Sequence, residues 1–248
     1  MKRLLQAIHR TNDHEREIFG SHRVGFNAHL DRWHSDLRPD QQNNNYFVPT
    51  CPLTDGDLEA ARELQKKRGL DYLMIRMSSP IGQALKVKFS LEEDVIYTMA
   101  LLKDTSHQWR INPKIDVRDI QTSDIGRDLL DVSHVPQQYQ AQARLNMGMV
   151  LQVARRHPEY HWLCAYKEHR CVGQVYALCH GGCIEMDDLW VAPDHRKQYI
   201  GTTLMKYISE NLEGTIYLHA DAAMTPREMY RKMGFEIVET VYQYVMQW

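Results

Sequence analysis

Apolar residues recur along this chain in two regimes, one sparse and one rhythmic. In "TDGDLEAARELQKKRGLDYLMIRM", Leu58, Ala61 and Leu64 repeat at helical spacing. Thr54 or Asp55 can cap that helix at its start, and Gly69 fits a left-handed C-terminal cap. "LDYLMIRM" then reads as a strand, and "ALKVKFSL" and "DVIYTMALL" are two further strand candidates. Before residue 50 the apolar positions Ile8, Ile18, Phe19, Val24, Phe26, Leu30 and Trp33 are too sparse to predict a helix, and "PDQQNNN" is a loop by composition. His29 and His34, with Asp31 nearby, are expected on one helix face, either as metal ligands or as a solvated surface. "TSHQWRINPK" is a polar connector, and the expected domains meet there, as residues 1–112 and 113–248.

The second domain has a regular rhythm. "IDVRDIQ" predicts a short strand, "TSDIGRDLLDVS" a capped helix, and "VPQQYQAQARLNMGMVLQVARRH" a longer helix bounded by Pro136 and Pro158. "HWLCAY", "CVGQVYALCH" and "CIEMDDLWV" follow as strands separated by the turn signals "KEHR" and "HGG", which predicts an antiparallel meander. A helix, "RKQYIGTTLMKYISENL", and a strand, "TIYLHA", come next. The short helix "TPREMYRKM", with Thr225 at its N-cap and Pro226 at its first position, leads into the closing strand "FEIVETVYQYVM".

Composition changes this picture little. A net charge of −2 gives no basic excess that would argue for nucleic acid. No apolar run approaches a membrane span, and the brief apolar stretch after Lys2 and Arg3 is shorter than a signal peptide requires. Five cysteines, an odd number, suggest reduced thiols in the cytoplasm. Cys164, Cys171, Cys179 and Cys183 lie close together, but their gaps do not match paired zinc ligands, so no metal is expected.

The order β-α-α-β-β-β-α-β-α-β resembles the GNAT superfamily of acyl-CoA-dependent N-acyltransferases. Three blocks carry the resemblance, over roughly residues 115–248: the meander, "LWVAPDHRKQYIGTTLM", and "TPREMYRKMGFEIVE". It implies an α/β (α+β) GNAT fold with a mixed central sheet flanked by helices, acetyl-CoA as co-substrate, and an amine acceptor. The family's loop pattern is Arg or Gln, two residues, Gly, one residue, then Gly or Ala. Arg196 and Gly201 match it, Ile200 fills the apolar place, and Tyr199 stands where the first glycine belongs. A helix N-terminus binds pyrophosphate through unpaired amides and its dipole. Arg196, Lys197, Gln198, Tyr199, Ile200, Gly201 and Thr202 are therefore the expected phosphate-binding residues, with Tyr199 donating its amide from an ordinary φ and its ring turned away. The resemblance places Leu189, Trp190 and Val191 along the pantetheine arm, on a strand that parts from its neighbour.

Acyl transfer to an amine needs a base for the amine, a polarised thioester carbonyl and a proton for the leaving thiolate. Glu185, Asp187 and Asp188 enter the loop. Strand alternation puts Glu185 and Asp187 on one face and Asp188 on the other. Glu185 is the first candidate for the base, Asp187 the second, and solvation of a strand end is the alternative for each. Tyr230 stands where the family has its tyrosine, four residues before Gly234, and is the candidate general acid. Ala223 replaces the family's frequent asparagine, and Thr225 is the polar residue left to contact the cofactor.

In the first half, "ELQKKRGLDYLM" echoes "EMYRKMGFEIVE", with Gln65 against Tyr230 and Gly69 against Gly234. That half is a degenerate GNAT-like copy or an unrelated α+β accessory domain. Two functions stay open: an acetyltransferase acting on a small-molecule amine or protein amino group as a monomer or homodimer, and a non-catalytic acyl-CoA-binding or interaction module.

Overall fold

Helix α1 spans Lys2–Ile18, where the apolar pattern is weakest. The structure is a computed structural model that describes residues 1–35, 42–120, 137–223 and 227–248. The buried face of α1 carries Ile8, Thr11 and Asn12, spaced as one helical stripe. Two of the three are polar, so hydrophobic periodicity does not reveal them. The Thr11 hydroxyl lies 3.0 Å from the carbonyls of Ala7 and His180, and Tyr217 Oη lies 2.6 Å from Asn12 Oδ1.

Strands β1 (Ser21–Gly25) and β2 (Leu30–Ser35) pair antiparallel, with His22 opposite His34. The helix face expected to unite His29 and His34 is therefore not formed. His34 lies on β2, while His29 precedes it and holds Asp57 at 2.9 Å. After β3 (Tyr46–Pro49), helix α2 (Asp55–Lys67) begins in a capping box between Thr54 and Asp57. It ends at Gly69, whose φ of 75° and its amide bond to Lys66 O close the last turn. β4 (Tyr72–Met77) follows as expected.

"ALKVKFSL" is not a strand. Its alternation of apolar residues and lysines comes from helix α3 (Gln83–Lys88), on which Val87 is 67% exposed. Phe89 and Leu91 reach the core only beyond the helix end. The chain continues through β5 (Glu92–Leu101) and β6 (Asp116–Asp119). The helix expected from "TSDIGRDLLDVS" and the helix start at Pro136 lie outside the described residues. Then come α4 (Gln137–Arg156), the meander β7 (Tyr160–Lys167), β8 (Arg170–His180) and β9 (Cys183–Val191), α5 (Ile200–Asn211), β10 (Thr215–Asp221), α6 (Arg227–Lys232) and β11 (Phe235–Gln247). Among the described residues no helix is long and apolar enough to cross a membrane.

Contacts divide the chain into two compact units that interleave in sequence. One comprises Met1–His14, Ala100–Leu218 and Met229–Glu236; the other comprises Glu15–Met99, His219–Glu228 and Ile237–Trp248. In the first unit the strands run β10-β9-β8-β7-β6. β9 and β10 are parallel and the rest antiparallel, which makes the sheet mixed. Helix α5 buries Ile200, Leu204, Met205 and Ile208. Each such side chain contributes about 1.5–3 kcal/mol through burial. The helix comes close because residue 173 is glycine: a Cβ there would lie 3.0 Å from Ile200 Cγ2 and from Trp190 O.

In the second unit the order is β1-β2-β3-β4-β11-β5. β3 and β4 are parallel, and β4 pairs antiparallel with β11 from Met77↔Tyr242 to Tyr72↔Gln247. Leu30, Phe47, Leu58, Leu73, Ile75 and Tyr244 form its core.

Candidate active site

The loop after β9 begins with a single turn at Pro193–His195 and enters α5 at Ile200. Tyr199 is the N-cap residue, at φ 60° and ψ 18°, and Lys197 has φ 59°. The expectation of an ordinary φ at Tyr199 is thus corrected: its backbone adopts the left-handed form, which glycine adopts without strain and a tyrosine does not. Tyr199 is 46% exposed, and its hydroxyl accepts from Arg110 Nη1 at 3.3 Å. No side chain caps the helix. The amides of Ile200, Gly201 and Thr202 have no carbonyl in the preceding turn to bond, so the helix start is open to an anion.

The flanking residues are held by side chains. Asn112 donates its backbone amide to Thr203 Oγ1 at 2.9 Å and its side-chain amide to Gln198 O at 3.1 Å. Lys167 reaches Gln198 Oε1 at 3.2 Å, and Arg196 Nε donates to Val191 O at 3.2 Å. A Cβ on Gly201 would sit 3.7 Å from Leu189 Cδ2 and Val191 Cγ2. The missing side chain therefore leaves room between α5 and the end of β9.

β9 pairs with β10 only from Cys183↔Thr215 to Glu185↔Tyr217, although β9 runs on to Val191. The strand carrying Leu189, Trp190 and Val191 thus extends beyond that ladder. Its register with β8 also slips: Gln174 faces Trp190, but Tyr176 faces Asp187. β9 has one residue more than β8 across this step, and Asp188, at φ 48°, is in the bulge.

Burial separates the three acids. Glu185 is 6% exposed, and its Oε2 lies 3.0 Å from Tyr217 Oη, beside Asn12. Asp187 and Asp188 are both exposed. Gln174 Nε2 donates to Asp188 Oδ2 at 2.8 Å. Desolvation and the neighbouring charge of Asp187 push the Asp188 carboxyl up to about 6, against the Gln174 hydrogen bond.

Two buried tyrosines feel these acids. Burial first, and then the charge of Asp187, raises Tyr230. Burial, Asp188 and other nearby groups raise Tyr176. Tyr230 packs edge-on against Phe235, with ring centroids 5.8 Å apart. The structure therefore brings Tyr230 and Asp187 into one electrostatic neighbourhood, and it keeps Glu185 in a buried polar cluster. Thr225 lies outside the described residues.

Sequence reasoning missed the work of the 105–114 connector. Thr105 Oγ1 and Trp109 Nε1 both donate to Met233 O, at 2.7 and 3.0 Å, where α6 ends. Arg110 and Asn112 hold the start of α5. One segment thus fixes the helix that carries Tyr230 and the loop that precedes α5. Its mixed polar and aromatic composition was the only available signal. Among the described residues no group of three His, Cys, Asp or Glu is arranged to hold a metal.

Comparison with known proteins agrees with this geometry. Residues 158–237 match the model of the acetyltransferase (GNAT) domain family. No curated protein matches the chain by sequence. A conserved protein of unknown function from Staphylococcus epidermidis superposes with a TM-score of 0.76 at 16% identity, covering 92% of this chain and 94% of its own. A GCN5-related N-acetyltransferase from Kribbella flavida gives 0.60 at 12% identity, covering 98% and 94%. A tandem GNAT protein from the clavulanic acid biosynthesis pathway gives 0.56 at 12% identity, covering 88% and 82%. At such identities the likeness is one of fold. With the loop, the parted strand and the match at 158–237 in agreement, this chain has a GNAT fold of two compact units, and residues 158–237 are similar to the acetyltransferase (GNAT) domain family.

Proposed function

We propose that the protein transfers an acetyl group from acetyl-CoA to a primary amine by direct attack. The observation that carries this reading is the convergence of an uncapped helix start at Ile200, a strand end free of β10, and Tyr230 within electrostatic reach of Asp187. The amides at residues 198–202, with Arg196 and Lys197, suit the pyrophosphate. The backbone of Leu189, Trp190 and Val191 suits the pantetheine arm, much as an added strand pairs with a sheet edge. The amine nitrogen attacks the thioester carbonyl, the carbon–sulfur bond breaks, and Tyr230 protonates the departing thiolate.

For the base, the geometry favours the exposed pair over Glu185. Asp188, raised toward neutrality, holds a proton-accepting carboxylate at physiological pH while being basic enough to use it. Asp187, beside it, contributes to that rise. The acceptor class is a small-molecule amine or a protein amino group.

The test is calorimetric titration with acetyl-CoA, followed by thiol release against a panel of amines. Native protein should bind, and Gly201→Trp should not. Tyr230→Phe should lose on the order of a hundredfold in turnover with binding retained. The rate should fall as pH drops through about 6, and Asp188→Asn should remove that limb. Equal loss of binding and turnover in Tyr230→Phe would assign the tyrosine to structure. Binding without thiol release from any amine would favour a non-catalytic acyl-CoA module, a reading to which the exposed Tyr199 ring beside the loop lends support.

A further inference from the structure

Three side chains on the meander form a second constellation, away from the loop. Asp119 ends β6, His161 lies on β7 and Cys179 is near the end of β8. The register explains how they meet. Asp119 pairs with Leu163, and His161 pairs with Ala177, so Asp119, His161 and Cys179 share one face of three adjacent strands. His161 Nδ1 is 2.6 Å from Asp119 Oδ2, and Cys179, diagonal to His161 across the β7–β8 pair, lies near enough for its thiol to raise the ring's basicity. With Nδ1 turned to the carboxylate, Nε2 is the nitrogen left for the thiol.

This is the order of parts that activates a nucleophile: thiol, imidazole, and a carboxylate that orients the imidazole. The set is accessible. The Asp119 and His161 side chains are each 17% exposed, and Cys179 is half-buried. It is also separate from the candidate active site. Cys179 lies six residues along β8 from Gly173, roughly 20 Å at the rise of a strand, and on the face opposite Tyr176.

We propose that Cys179 is a nucleophilic thiol, activated by His161 and oriented through it by Asp119, and that it is a site of two-electron oxidation by hydroperoxides. The thiol proton passes to His161. The sulfur attacks one peroxide oxygen, the S–O bond forms and the O–O bond breaks. The departing oxygen takes the proton from the imidazolium and leaves as water from hydrogen peroxide, or as the alcohol from an organic hydroperoxide. The sulfur is oxidised to sulfenic acid and the peroxide is reduced, with no further co-reactant. Hydroperoxides suit this geometry because their leaving oxygen needs a proton donor beside the sulfur. Asp119 first, and then Cys179, raise His161 to about 9 despite partial burial, so the ring is basic enough to take the thiol proton and holds it until the leaving oxygen accepts it.

The other thiols provide internal standards. Cys51 and Cys171 are similarly half-buried, while Cys164 and Cys183 are buried. Intact protein at pH 7 is treated with hydrogen peroxide and a sulfenic-acid-trapping diketone, and each cysteine is followed by mass spectrometry. Cys179 should be trapped about tenfold faster than Cys51 and Cys171, the scale of an activated thiol. His161→Gln should bring it down to their rate, and Asp119→Asn should bring it partway. Continued protection of Cys164 and Cys183 reports that a variant is folded. If His161→Gln exposes them, the native comparison and Asp119→Asn decide. A native Cys179 no faster than Cys51 and Cys171, or one unchanged in the folded variants, overturns the proposal.

Discussion

Tyr199 stands where the resemblance expects a glycine, and its backbone is left-handed, as glycine readily is. A non-glycine residue in the left-handed region costs roughly 1–2 kcal/mol. Here the φ of 60° persists because Asn112, Thr203 and the packed start of α5 fix the loop around it. Replacing Tyr199 by Gly relieves the strain but adds freedom to the unfolded chain, an opposing effect of about 0.4–1 kcal/mol. The expected outcome is a gain of up to about 1 kcal/mol for Tyr199→Gly. Tyr199→Ala keeps the strain, loses the Arg110 contact and should be less stable than the native protein. Urea denaturation of the two variants checks this, and equal shifts would mean that the left-handed φ is not what residue 199 contributes. The identity of Tyr199 was legible in the sequence, but its φ was not, because backbone angle is set by neighbours that the loop meets only in three dimensions. The same limit governed the acids. Alternation put Glu185 and Asp187 on one face, as the register with β8 has them, but only the Tyr217–Asn12 pair, met in three dimensions, separates the buried Glu185 from the two open acids.

The connector before β6 is the element on which the site's geometry depends. Thr105 and Trp109 converge on Met233 O, and the next residue, Gly234, turns the chain from α6 into β11 at φ 95°. A Cβ there would lie 2.6 Å from Thr105 Oγ1. Gly234→Ala therefore combines backbone strain with a clash against the hydroxyl that holds the helix end. It should cost about 1–3 kcal/mol and lower turnover more than acetyl-CoA affinity, since α6 carries Tyr230 and the loop before α5 is untouched. Pairing Gly234→Ala with Thr105→Ala should recover part of the stability. No recovery would place the strain in the backbone alone.

Elements whose signals are local were readable in advance. The meander, α5, and both helix–glycine–strand passages announce themselves through turn residues and periodic apolar positions. Helix α1 did not, because its buried stripe is held by Thr11 and Asn12 as well as Ile8. Helix α3 did not, because lysines alternating with Leu85, Val87 and Phe89 mimic a half-buried strand. The triad of Asp119, His161 and Cys179 is invisible in sequence for a different reason: strand register alone assembles it.

At the scale of the whole chain, the two halves share a passage. α2 leads through Gly69, at φ 75°, into β4, as α6 leads through Gly234 into β11. Where the second passage has Tyr230, the first has Gln65, fully buried, with its amide on Tyr72 O at 3.3 Å. This favours reading the first half as a degenerate copy and expects one acetyl-CoA per chain. Ligand binding to the folded state alone stabilises by mass action, about 2.7 kcal/mol at a hundredfold excess over Kd. For a chain of this size that is a rise in Tm of roughly 5–10 °C, at about 2–4 °C per kcal/mol. Free coenzyme A should give a similar rise, because the pyrophosphate and the arm make the expected contacts. Gly201→Trp, which fills the space beside Leu189 and Val191, should abolish it. Calorimetry run alongside the melts should return one equivalent per chain. Two equivalents would mean that the first half also binds coenzyme A and that Gln65 does not mark a silent copy. A Gly201→Trp protein that still shifts would move the phosphate site away from α5.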